Sequence, residues 1–500
     1  MNPAAHLRQR AEETPDVTAV VANDKQITFK ELNTLVDAFA ARLGGLGLHQ
    51  GHVAAVQLPN SLEFVVTYFA TLRLGAIFLG IDARAKQEEL GSLFLDAHPA
   101  LWITDPRTAA EEHPAESGCQ VLPLVPHSLL ETPAAHPPAP MENFPFAPEA
   151  PALYLHTSGS TGRPKIAILP ARALEASSEP FEFFLKGEVR GQVLGKCIPI
   201  SHYIGPLYCN TMAQYGSQMV IVEPFRPDRF LQAVARHKIT LFHAVPPILA
   251  SFLQCPNVGS LDLSSVQVII PMGMAVPVAL IDASKQLFPN AHILQGYGAT
   301  ETGGILAVPI EDEERKKGSL GKPLSPNVHV RIVDDSGHDL KPGEIGEFIV
   351  QTRGLMLGYL NRPELNNMVF RDGWYRMMDL GYQDEEGFYY FMGRKDDMIN
   401  LGGEKIYPAE LEQALMGHPM VKEACVLGVD DAKRGKSIVA FVSPIPGCSL
   451  EKNDLLAFLR QRLASYKVPK EFVIIQTFPR TTNGKIAKGE LLALLEHGAR

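Results

Sequence analysis

The feature that most constrains this chain is a regular alternation of strand and helix patterns. The segment Gln26–Leu48 predicts a short strand followed by an amphipathic helix, because apolar residues recur at helical spacing. Those residues are Leu32, Val36, Phe39, Ala40 and Leu43. The runs HVAAVQLPNS and SLEFVVTYFATLRLGA then predict a buried strand and a second helix. Continued alternation of this kind is typical of α/β layers built on parallel sheets.

Five later apolar runs have β character and end in Gly, Pro or polar residues. They are VLGKCIPIS, SQMVIVEP, ITLFHAVP, VQVIIPMG and HILQGYG. Ligands of open α/β sheets collect at the carboxyl ends of the strands, so we expect a site where these runs end. A chain of 500 residues is also too long for one ordinary core, which predicts two or more domains.

A domain boundary is predicted near Gly393–Asp397. The residues beyond it show their own order of helix, strand, strand, helix, strand and helix, with the middle helix predicted over KNDLLAFLRQRLASY. That set suffices for a small α+β domain. We therefore expect a large N-terminal domain of layered α/β subdomains over residues 1–395 and a small C-terminal domain over residues 396–500.

Composition disfavours several classes of protein. The net charge is −9 and no long basic stripe is present, which argues against a nucleic-acid protein. The six cysteines form no CxxC pair, so neither a zinc site nor a disulfide framework is predicted. The first residues lack the apolar core of a signal peptide, and the apolar stretch Phe64–Ile81 is interrupted by Arg73. We expect a cytoplasmic protein without a membrane span.

The strongest local motif is LHTSGSTGRPK, in which a strand runs into a loop of Thr, Ser and Gly. Glycine lets backbone N–H groups converge, hydroxyls add donors, and a lysine adds positive charge, which together suit a polyphosphate. The alternative is a flexible Ser/Gly turn. The candidate phosphate-binding residues are Thr157, Ser158, Gly159, Ser160, Thr161, Gly162 and Lys165.

The second motif is QGYGATET, which follows the apolar strand HIL. Tyr297 is suited to stack on a base, Thr300 to bond a phosphate oxygen, and Glu301 to hold Mg²⁺, which prefers carboxylates and phosphate oxygens. The alternative is a loop between a strand and a helix, with Glu301 as a charge in the first helical turn.

Three further segments carry candidate polar groups. WYRMMDLGYQD is predicted to present Asp379 at the end of a short strand, where it would accept ribose hydroxyls or merely cap a turn. Candidate site residues in the segment GRKDDMINLGGEKIYPAELE are Arg394 and two adjacent glycines. The alternative interpretation of this segment is an ordinary charged linker. Lys485 follows Asn–Gly in a turn before the last helix, where most lysines are simply solvated.

In this order and spacing, the five segments resemble the acyl-adenylating superfamily. That superfamily includes acyl-CoA synthetases, adenylation domains of peptide synthetases and firefly luciferase. The resemblance extends from ITFKELN to NGKI and so covers essentially the whole chain. It implies a large N-terminal domain, a small mobile C-terminal domain and an active site between them.

The resemblance also implies a role for each matching residue. The loop Thr157–Lys165 would hold the β- and γ-phosphates, Thr300 would contact phosphate, and Glu301 would bind Mg²⁺. Lys485 would join the acid to the α-phosphate. The residues implied to bind the nucleotide or the acid, or to form the hinge and the loop on the coenzyme A side, are Gly273 and Met274 (adenine), Tyr297 and Gly298 (adenine and acyl pocket), Asp379 and Arg394 (ribose), His202 and Tyr203 (acid), Asp396 (hinge), and Gly402 and Gly403 (coenzyme A side).

Four residues at three places depart from the pattern of the superfamily. Met377 and Met378 stand where Thr–Gly usually precedes the ribose-binding Asp. Ile166 follows the loop lysine in place of Gly, and Asn400 stands where Lys is common. We expect these changes to alter how the loops pack.

These observations predict ATP-dependent activation of an aromatic or aliphatic carboxylic acid to its acyl adenylate, with Mg²⁺, followed by transfer to coenzyme A. The segment PISHYIG lacks the Asp that usually meets an amino-acid ammonium, so an amino-acid substrate is disfavoured. Three alternatives remain open: loading the phosphopantetheine of a separate carrier protein, a luciferase-like oxidation, or a non-catalytic nucleotide sensor. The chain would act as a monomer or homodimer.

Overall fold

The computed structural model describes residues 2–112, 118–126, 128–130, 140–157, 164–256, 258–273, 276–401, 404–431, 435–445, 447–480 and 486–498. The helices in these ranges are α1 (Pro3–Glu13), α2 (Phe29–Gly45), α3 (Leu62–Arg73), α4 (Gln87–Ala97), α5 (Pro106–Glu111), α6 (Ala171–Ala176), α7 (Glu179–Phe184), α8 (Ile204–Tyr215), α9 (Pro227–His237), α10 (Pro246–Leu253), α11 (Val278–Leu287), α12 (Pro363–Val369), α13 (Pro408–Met416), α14 (Lys452–Arg460) and α15 (Lys488–Gly498).

The strands in the same ranges are β1 (Thr18–Ala22), β2 (Lys25–Thr28), β3 (Val53–Gln57), β4 (Ile77–Gly80), β5 (Leu101–Thr104), β6 (Gln120–Pro123), β7 (Pro151–Thr157), β8 (Lys165–Pro170), β9 (Val193–Lys196), β10 (Gln218–Ile221), β11 (Leu241–Ala244), β12 (Val268–Pro271), β13 (His292–Ile293), β14 (Gly296–Ala299), β15 (Gly303–Ala307), β16 (Lys322–Pro323), β17 (His329–Val333), β18 (Gly346–Gln351), β19 (Gly358–Tyr359), β20 (Phe370–Arg371), β21 (Trp374–Gln383), β22 (Tyr389–Arg394), β23 (Ile399–Leu401), β24 (Glu404–Ile406), β25 (Val421–Asp431), β26 (Gly435–Pro444) and β27 (Glu471–Ile474).

Two seven-stranded sheets form the larger part of the molecule. One has the order β13-β12-β11-β9-β10-β1-β2 and is parallel except for the β1–β2 pair. The other has the order β19-β8-β7-β4-β3-β5-β6, in which β7, β4, β3, β5 and β6 are parallel and the β8 pairs are antiparallel. The predicted α/β architecture with parallel sheets is therefore confirmed.

The first two predicted helices form as their patterns indicate. α2 begins at a capping box, in which Thr28 accepts from the backbone of Glu31 and the Glu31 side chain accepts from the backbone of Thr28. Its predicted apolar face is buried. α3 is buried along its whole length, which places it inside the molecule rather than on the surface.

Antiparallel strands follow the two main sheets. β17, β18, β21 and β20 form one sheet, with β22 added against β21, and β14, β15 and β16 form another. These strands position the candidate nucleotide-binding residues of the second, third and fourth motifs, because Tyr297 lies on β14, Asp379 on β21 and Arg394 on β22.

The C-terminal region has a hydrophobic core of its own, which includes Ile406, Leu411 and Leu455. Its sheet has the order β25-β26-β27, so the predicted α+β unit is present. The helix predicted over KNDLLAFLRQRLASY is shorter than expected and ends at Arg460. Ala464 leaves the helical region at ψ 146°, and a short 3₁₀ turn follows. Throughout the part of the chain that the structure describes, no helix is both long and apolar enough to cross a membrane.

Candidate functional site

Two antiparallel strands form the base of the loop predicted to hold phosphate. β7 and β8 pair along their length, and Thr157 lies opposite Lys165 at the end of the ladder. The backbone thus brings the first and last residues of the motif together. The other candidates in this loop, Ser158, Gly159, Ser160, Thr161 and Gly162, lie outside the described residues.

The side chain of Lys165 is linked to Glu301 through a tyrosine. Its ammonium lies 5.6 Å from the ring centroid of Tyr359, which reaches this position because β19 pairs with β8. The Tyr359 hydroxyl donates a 2.7 Å hydrogen bond to Oε1 of Glu301. The ring of Tyr359 thus contacts a cation, and its hydroxyl contacts a carboxylate.

Tyr359 is fixed as a hydrogen-bond donor. Burial, reinforced by the negative charge of Glu301, raises the pKa of Tyr359 far above its ordinary value, so the phenol keeps its proton. The hydroxyl of Tyr375 lies 3.2 Å away and extends the chain of polar groups. Neither tyrosine is predicted from the sequence. No motif contains Tyr359, and the motif that contains Tyr375 is interpreted through Asp379 alone.

The segment QGYGATET forms a β-hairpin, so the alternative of a loop between a strand and a helix is wrong. β14 and β15 pair antiparallel. A Cβ atom at Gly298 would lie 2.1 Å from the carbonyl oxygen of Gly303, so only glycine permits this approach of the two strands. Thr300 and Glu301 lie between the strands, where Thr300 is partly exposed and Glu301 is buried.

Asp379 lies in the middle of β21, and the prediction that it ends a short strand is wrong. β21 is ten residues long because it pairs with both β18 and β22. Its register with β18 shifts so that residues 377–379 lie opposite the single residue Phe348. Bulges of this kind re-aim side chains beside functional sites, and this one contains the candidate ribose ligand.

Both carboxylate oxygens of Asp379 accept hydrogen bonds. Tyr297 donates to Oδ2 and Arg394 donates to Oδ1, each over 2.5 Å. Burial, together with the charge of Asp379, raises the pKa of Tyr297 well above its usual value, so it remains a donor. Burial disfavours the Arg394 cation, but Asp379 outweighs this and raises the pKa of Arg394. The structure thus brings three predicted nucleotide-binding residues into contact.

Met377 and Met378 occupy this bulge. Met378 has a φ of +56°, in the left-handed region that glycine tolerates best. A side chain in that region costs about 1–2 kcal/mol. Met377 is buried, and its sulfur lies 3.7 Å from the hydroxyl of Tyr297. The position where the superfamily usually has glycine thus keeps a glycine-like backbone while carrying methionine.

The loop with the candidate acid-binding residues packs against the QGYGATET hairpin. A Cβ atom at Gly303 would lie 2.6 Å from the hydroxyl of Tyr203, so the two segments touch. Burial raises the pKa of Tyr203. The neighbouring His202 places Nε2 3.6 Å from Oδ2 of Asp82, a residue that the sequence analysis did not single out.

The remaining candidates are partly described. Gly273 follows β12 with a φ of +84° and is exposed. At the predicted domain boundary, the ammonium of Lys395 lies 2.8 Å from Asp335 and 3.0 Å from the buried Glu347, while Asp396 is exposed. Met274, Gly402, Gly403 and Lys485 lie outside the described residues.

Comparison with known families agrees with this geometry. A family model described as AMP-binding enzyme matches residues 7–360, and one described as AMP-binding enzyme C-terminal domain matches residues 410–485. The chain belongs to the AMP-binding enzyme family.

Relatives of this AMP-binding enzyme match it over nearly their full lengths. A feruloyl-CoA synthase of Amycolatopsis sp is 34% identical over 487 residues, covering 97% of both chains. An indoleacetate–CoA ligase of Aromatoleum aromaticum is 33% identical over 495 residues, covering 96% of both. The o-succinylbenzoate CoA synthetase of Bacillus subtilis, solved with its acyl-adenylate intermediate, is 30% identical with a TM-score of 0.85 and 97% of each chain covered.

The residues of this AMP-binding enzyme suit a magnesium ion held jointly with phosphate. The Bacillus subtilis synthetase has also been solved with ATP and a magnesium ion, at 30% identity, a TM-score of 0.86, and coverage of 97% of this chain and 99% of that one. Here Glu301 is buried, and within the described residues only its Oε1 atom accepts a hydrogen bond from another side chain. Mg²⁺ in nucleotide sites usually takes one or two carboxylates plus phosphate oxygens, which fits one carboxylate beside the loop.

Proposed function

We propose that this AMP-binding enzyme is an AMP-forming acid–CoA ligase. It activates a carboxylic acid with ATP to the acyl adenylate, releases pyrophosphate, and then transfers the acyl group to the thiol of coenzyme A. The observation that carries the proposal is the contact series from Lys165 through Tyr359 to Glu301, at the base of the phosphate-loop motif.

The chemistry explains why charge is gathered there. A carboxylate is a poor acyl donor because oxide would have to leave, whereas AMP is a good leaving group. The acid and ATP are both anions, so catalysis depends mainly on positioning and electrostatics. Lys165 and Lys485 supply positive charge, while Thr157, Thr300 and the loop hydroxyls supply hydrogen bonds. Bound Mg²⁺ neutralises part of the phosphate charge.

The ribose is held by a polar cluster formed by Asp379 with Tyr297 and Arg394. Asp379 accepts the ribose hydroxyls, and because both of its oxygens already accept bonds, ribose shares the carboxylate with Tyr297 or displaces Arg394. The Arg394 side chain is 57% exposed, whereas that of Asp379 is 7% exposed. Arg394 is therefore the partner that yields, and it can then turn to phosphate, which its planar group binds well.

An aromatic acid is the substrate that we favour. The relatives named for feruloyl and indoleacetate substrates act on aryl acids, and several residues in or near the segment that carries His202 are apolar or aromatic. Tyr203, Ile204, Tyr208 and Met272 are candidates for the pocket wall. Aliphatic acids of similar size are the class to compare.

The domain arrangement and setting of the enzyme form part of the proposal. Residues 1–395 carry the nucleotide and acid sites, and residues 396–500 form a domain that turns about Asp396 between the two half-reactions. We place the enzyme in the cytoplasm as a monomer or homodimer. Sizing by light scattering distinguishes the two oligomeric states.

A two-stage assay tests the proposal. Purified enzyme is first incubated with ATP, Mg²⁺ and a panel of aryl and aliphatic acids, and acid-dependent pyrophosphate and AMP are measured. Coenzyme A and a phosphopantetheinylated carrier protein are then supplied separately. We expect thioester with coenzyme A. No pyrophosphate with any acid would overturn the enzyme assignment, and thioester only on the carrier would overturn the choice of acceptor.

Lys485→Ala tests the role of Lys485 in the adenylation step. Because Lys485 would bridge the acid and the α-phosphate, its loss should slow adenylation by about 10²–10³-fold. Circular dichroism and thermal melting should match the wild type, which would show that the loss is catalytic and does not come from unfolding. Pyrophosphate release at the wild-type rate would contradict the role given to this lysine.

A further inference from the structure

A cluster of ionisable side chains lies beside the phosphate-loop motif and includes the candidate acid-binding residue His202. His156 is the penultimate residue of β7, directly before Thr157, and its ring centroid lies 5.9 Å from that of His202. Asp82 and Glu89 face the two histidines, at 3.6 Å from Nε2 of His202 and 3.7 Å from Nδ1 of His156 respectively. The cluster thus consists of two neighbouring imidazoles, each facing one carboxylate.

Packing holds the acidic end of this cluster in place. The position of a Cβ on Gly80, at the carboxyl end of β4, lies 2.6 Å from the carbonyl oxygen of Ser201, so the loop carrying His202 rests on that strand. Asp82 is buried and accepts hydrogen bonds from the backbone and guanidinium of Arg84, at 2.7–2.9 Å. Its carboxylate is therefore fixed in orientation and charge.

His202 has two different ring nitrogens. Nε2 is buried, faces Asp82 and has no hydrogen-bond partner in the described part of the chain. The His202 side chain as a whole is 25% exposed. A carboxylate that faces one ring nitrogen of a partly exposed histidine is the arrangement by which proteins prepare histidine as a base.

The position of His202 places it between two segments that carry phosphate-binding candidates. On one side His156 adjoins Thr157 of the phosphate-loop motif. On the other side Tyr203, the next residue in the chain, touches Gly303 of the hairpin that carries Glu301. The acyl–phosphate bond of an adenylate bound by those segments would therefore lie near His202.

We propose that His202 is the general base that takes the proton of the acceptor thiol, and that Asp82 is its positioning residue. The thiol S–H bond breaks, its proton passes to Nδ1, and sulfur attacks the acyl carbonyl. The bond between that carbonyl and the AMP phosphate oxygen breaks, AMP leaves with the electron pair, and the imidazolium then loses its proton to water. Asp82 stabilises the positive charge on the imidazolium.

The surroundings of His202 decide how the charge is shared. Burial, reinforced by His202, lowers the pKa of His156 to about 4, so His156 stays neutral and does not compete with His202 for the thiol proton. Burial, together with the charge of Asp82, raises the pKa of Glu89. Arg84 and, through it, Glu223 complete the charged groups in this cluster. Asp82 therefore supplies the negative charge closest to His202.

The inference rests on the proposed function and is tested on its second half-reaction alone. The acyl adenylate is formed on the enzyme and mixed with pantetheine or with a more acidic aryl thiol, and thioester is followed in a single turnover from pH 6 to 9. We expect Asp82→Asn and His202→Gln to slow transfer to pantetheine about 10- to 100-fold at pH 7. The deficit should shrink with the aryl thiol and at higher pH, because an ionised thiol needs no base.

Glu89→Gln is the matched control, since it removes one carboxylate from the same cluster but faces His156 instead of His202. It should transfer with the wild-type rate and pH profile. An equal loss in Asp82→Asn for both thiols at every pH would indicate a structural role and overturn the inference, as would wild-type transfer in both variants. In either case adenylate formation would leave the proposed function standing, whereas absence of adenylate with every acid in the wild type would remove the proposed function itself.

Discussion

The ammonium group of Lys488 lies 2.5 Å from the carboxylate of Asp397. Lys488 opens α15 and lies three residues after Lys485, while Asp397 directly follows the candidate hinge residue. This ion pair links the start of α15 to the chain just after the candidate hinge residue. A rotation about Asp396 would carry Lys488 and Asp397 as one unit.

Lys395, the residue before the candidate hinge, is bound to residues that precede it in the chain. Lys395 binds the carboxylates of Asp335 and Glu347, and its backbone N–H donates to the carbonyl of Met378 over 2.7 Å. Asp396 is thus a single exposed residue between two anchors, one in each part of the chain. Hinges of this kind absorb large changes of φ and ψ within one or two residues.

Restricting that residue should separate the two half-reactions. Asp396→Pro fixes φ near −65°, so we expect adenylation within a few-fold of wild type but thioester formation reduced about tenfold or more. Burst kinetics of pyrophosphate and single-turnover thioester formation measure the two steps. Asp396→Ala, which leaves both dihedral angles free, is the control. Thioester formation in Asp396→Pro at the rate of Asp396→Ala would exclude a hinge at this residue.

Tyr359→Phe should weaken magnesium-dependent activation. The change keeps the ring beside Lys165 but removes the hydrogen bond to Glu301, so the carboxylate loses the donor that orients it. A bond to a charged group is worth about 1.5–3 kcal/mol, and we expect about a tenfold higher Mg²⁺ requirement for pyrophosphate release. Tyr375→Phe, whose hydroxyl contacts Tyr359 but not Glu301 in the described structure, should respond less. Equal magnesium dependence in wild type and Tyr359→Phe would show that Glu301 is oriented by other groups.

Local patterns were enough to predict the main architecture and the order of the motifs. Alternating strand and helix patterns implied the parallel sheets, and the run from the apolar strand HIL into QGYGATET implied that candidate site residues follow a strand. Those features depend on neighbours within a few residues. Interactions between residues that are close in the sequence can be predicted from the sequence alone.

Contacts between distant segments could not be predicted in the same way. Tyr359 reaches Lys165 only because β19 pairs with β8, and Asp82 reaches His202 only because the acid loop rests on β4. The bulge at residues 377–379 is equally hidden, since it arises from the pairing of β21 with strands on both sides. Two methionines before Asp379 showed a departure from the superfamily but not a backbone with positive φ.

The buried His156 should make the protein less stable in mild acid. Burial lowers its pKa to about 4, below the value of 6.5 in an unfolded chain. Between those pH values the unfolded state binds a proton that the folded state does not, so stability is fully present above pH 6.5 and falls as the pH drops towards 4. The loss amounts to about 3 kcal/mol for a shift of this size.

Urea unfolding at several pH values tests this linkage. His156→Phe keeps a buried ring but cannot titrate, so its stability should fall less than that of the wild type from pH 6.5 to 4. His338→Gln, which removes a side chain that is 81% exposed, should follow the wild-type curve. Parallel curves for wild type and His156→Phe would show that His156 becomes protonated without unfolding.

Substitution of Met378 should reveal strain in the bulge at residues 377–379. Its φ of +56° is tolerated by glycine, costs an unbranched residue about 1–2 kcal/mol, and costs a β-branched residue more. Met378→Gly should therefore unfold at a similar or higher urea concentration than the wild type, because relief of strain offsets the added freedom of the unfolded chain. Met378→Val should be less stable than Met378→Gly by about 2 kcal/mol. Because Met378 adjoins Asp379, ATP binding should weaken in Met378→Val and not in Met378→Gly, as measured by calorimetry. Equal stability of the two variants in urea would contradict the prediction. It would show that the bulge relaxes freely to other backbone angles.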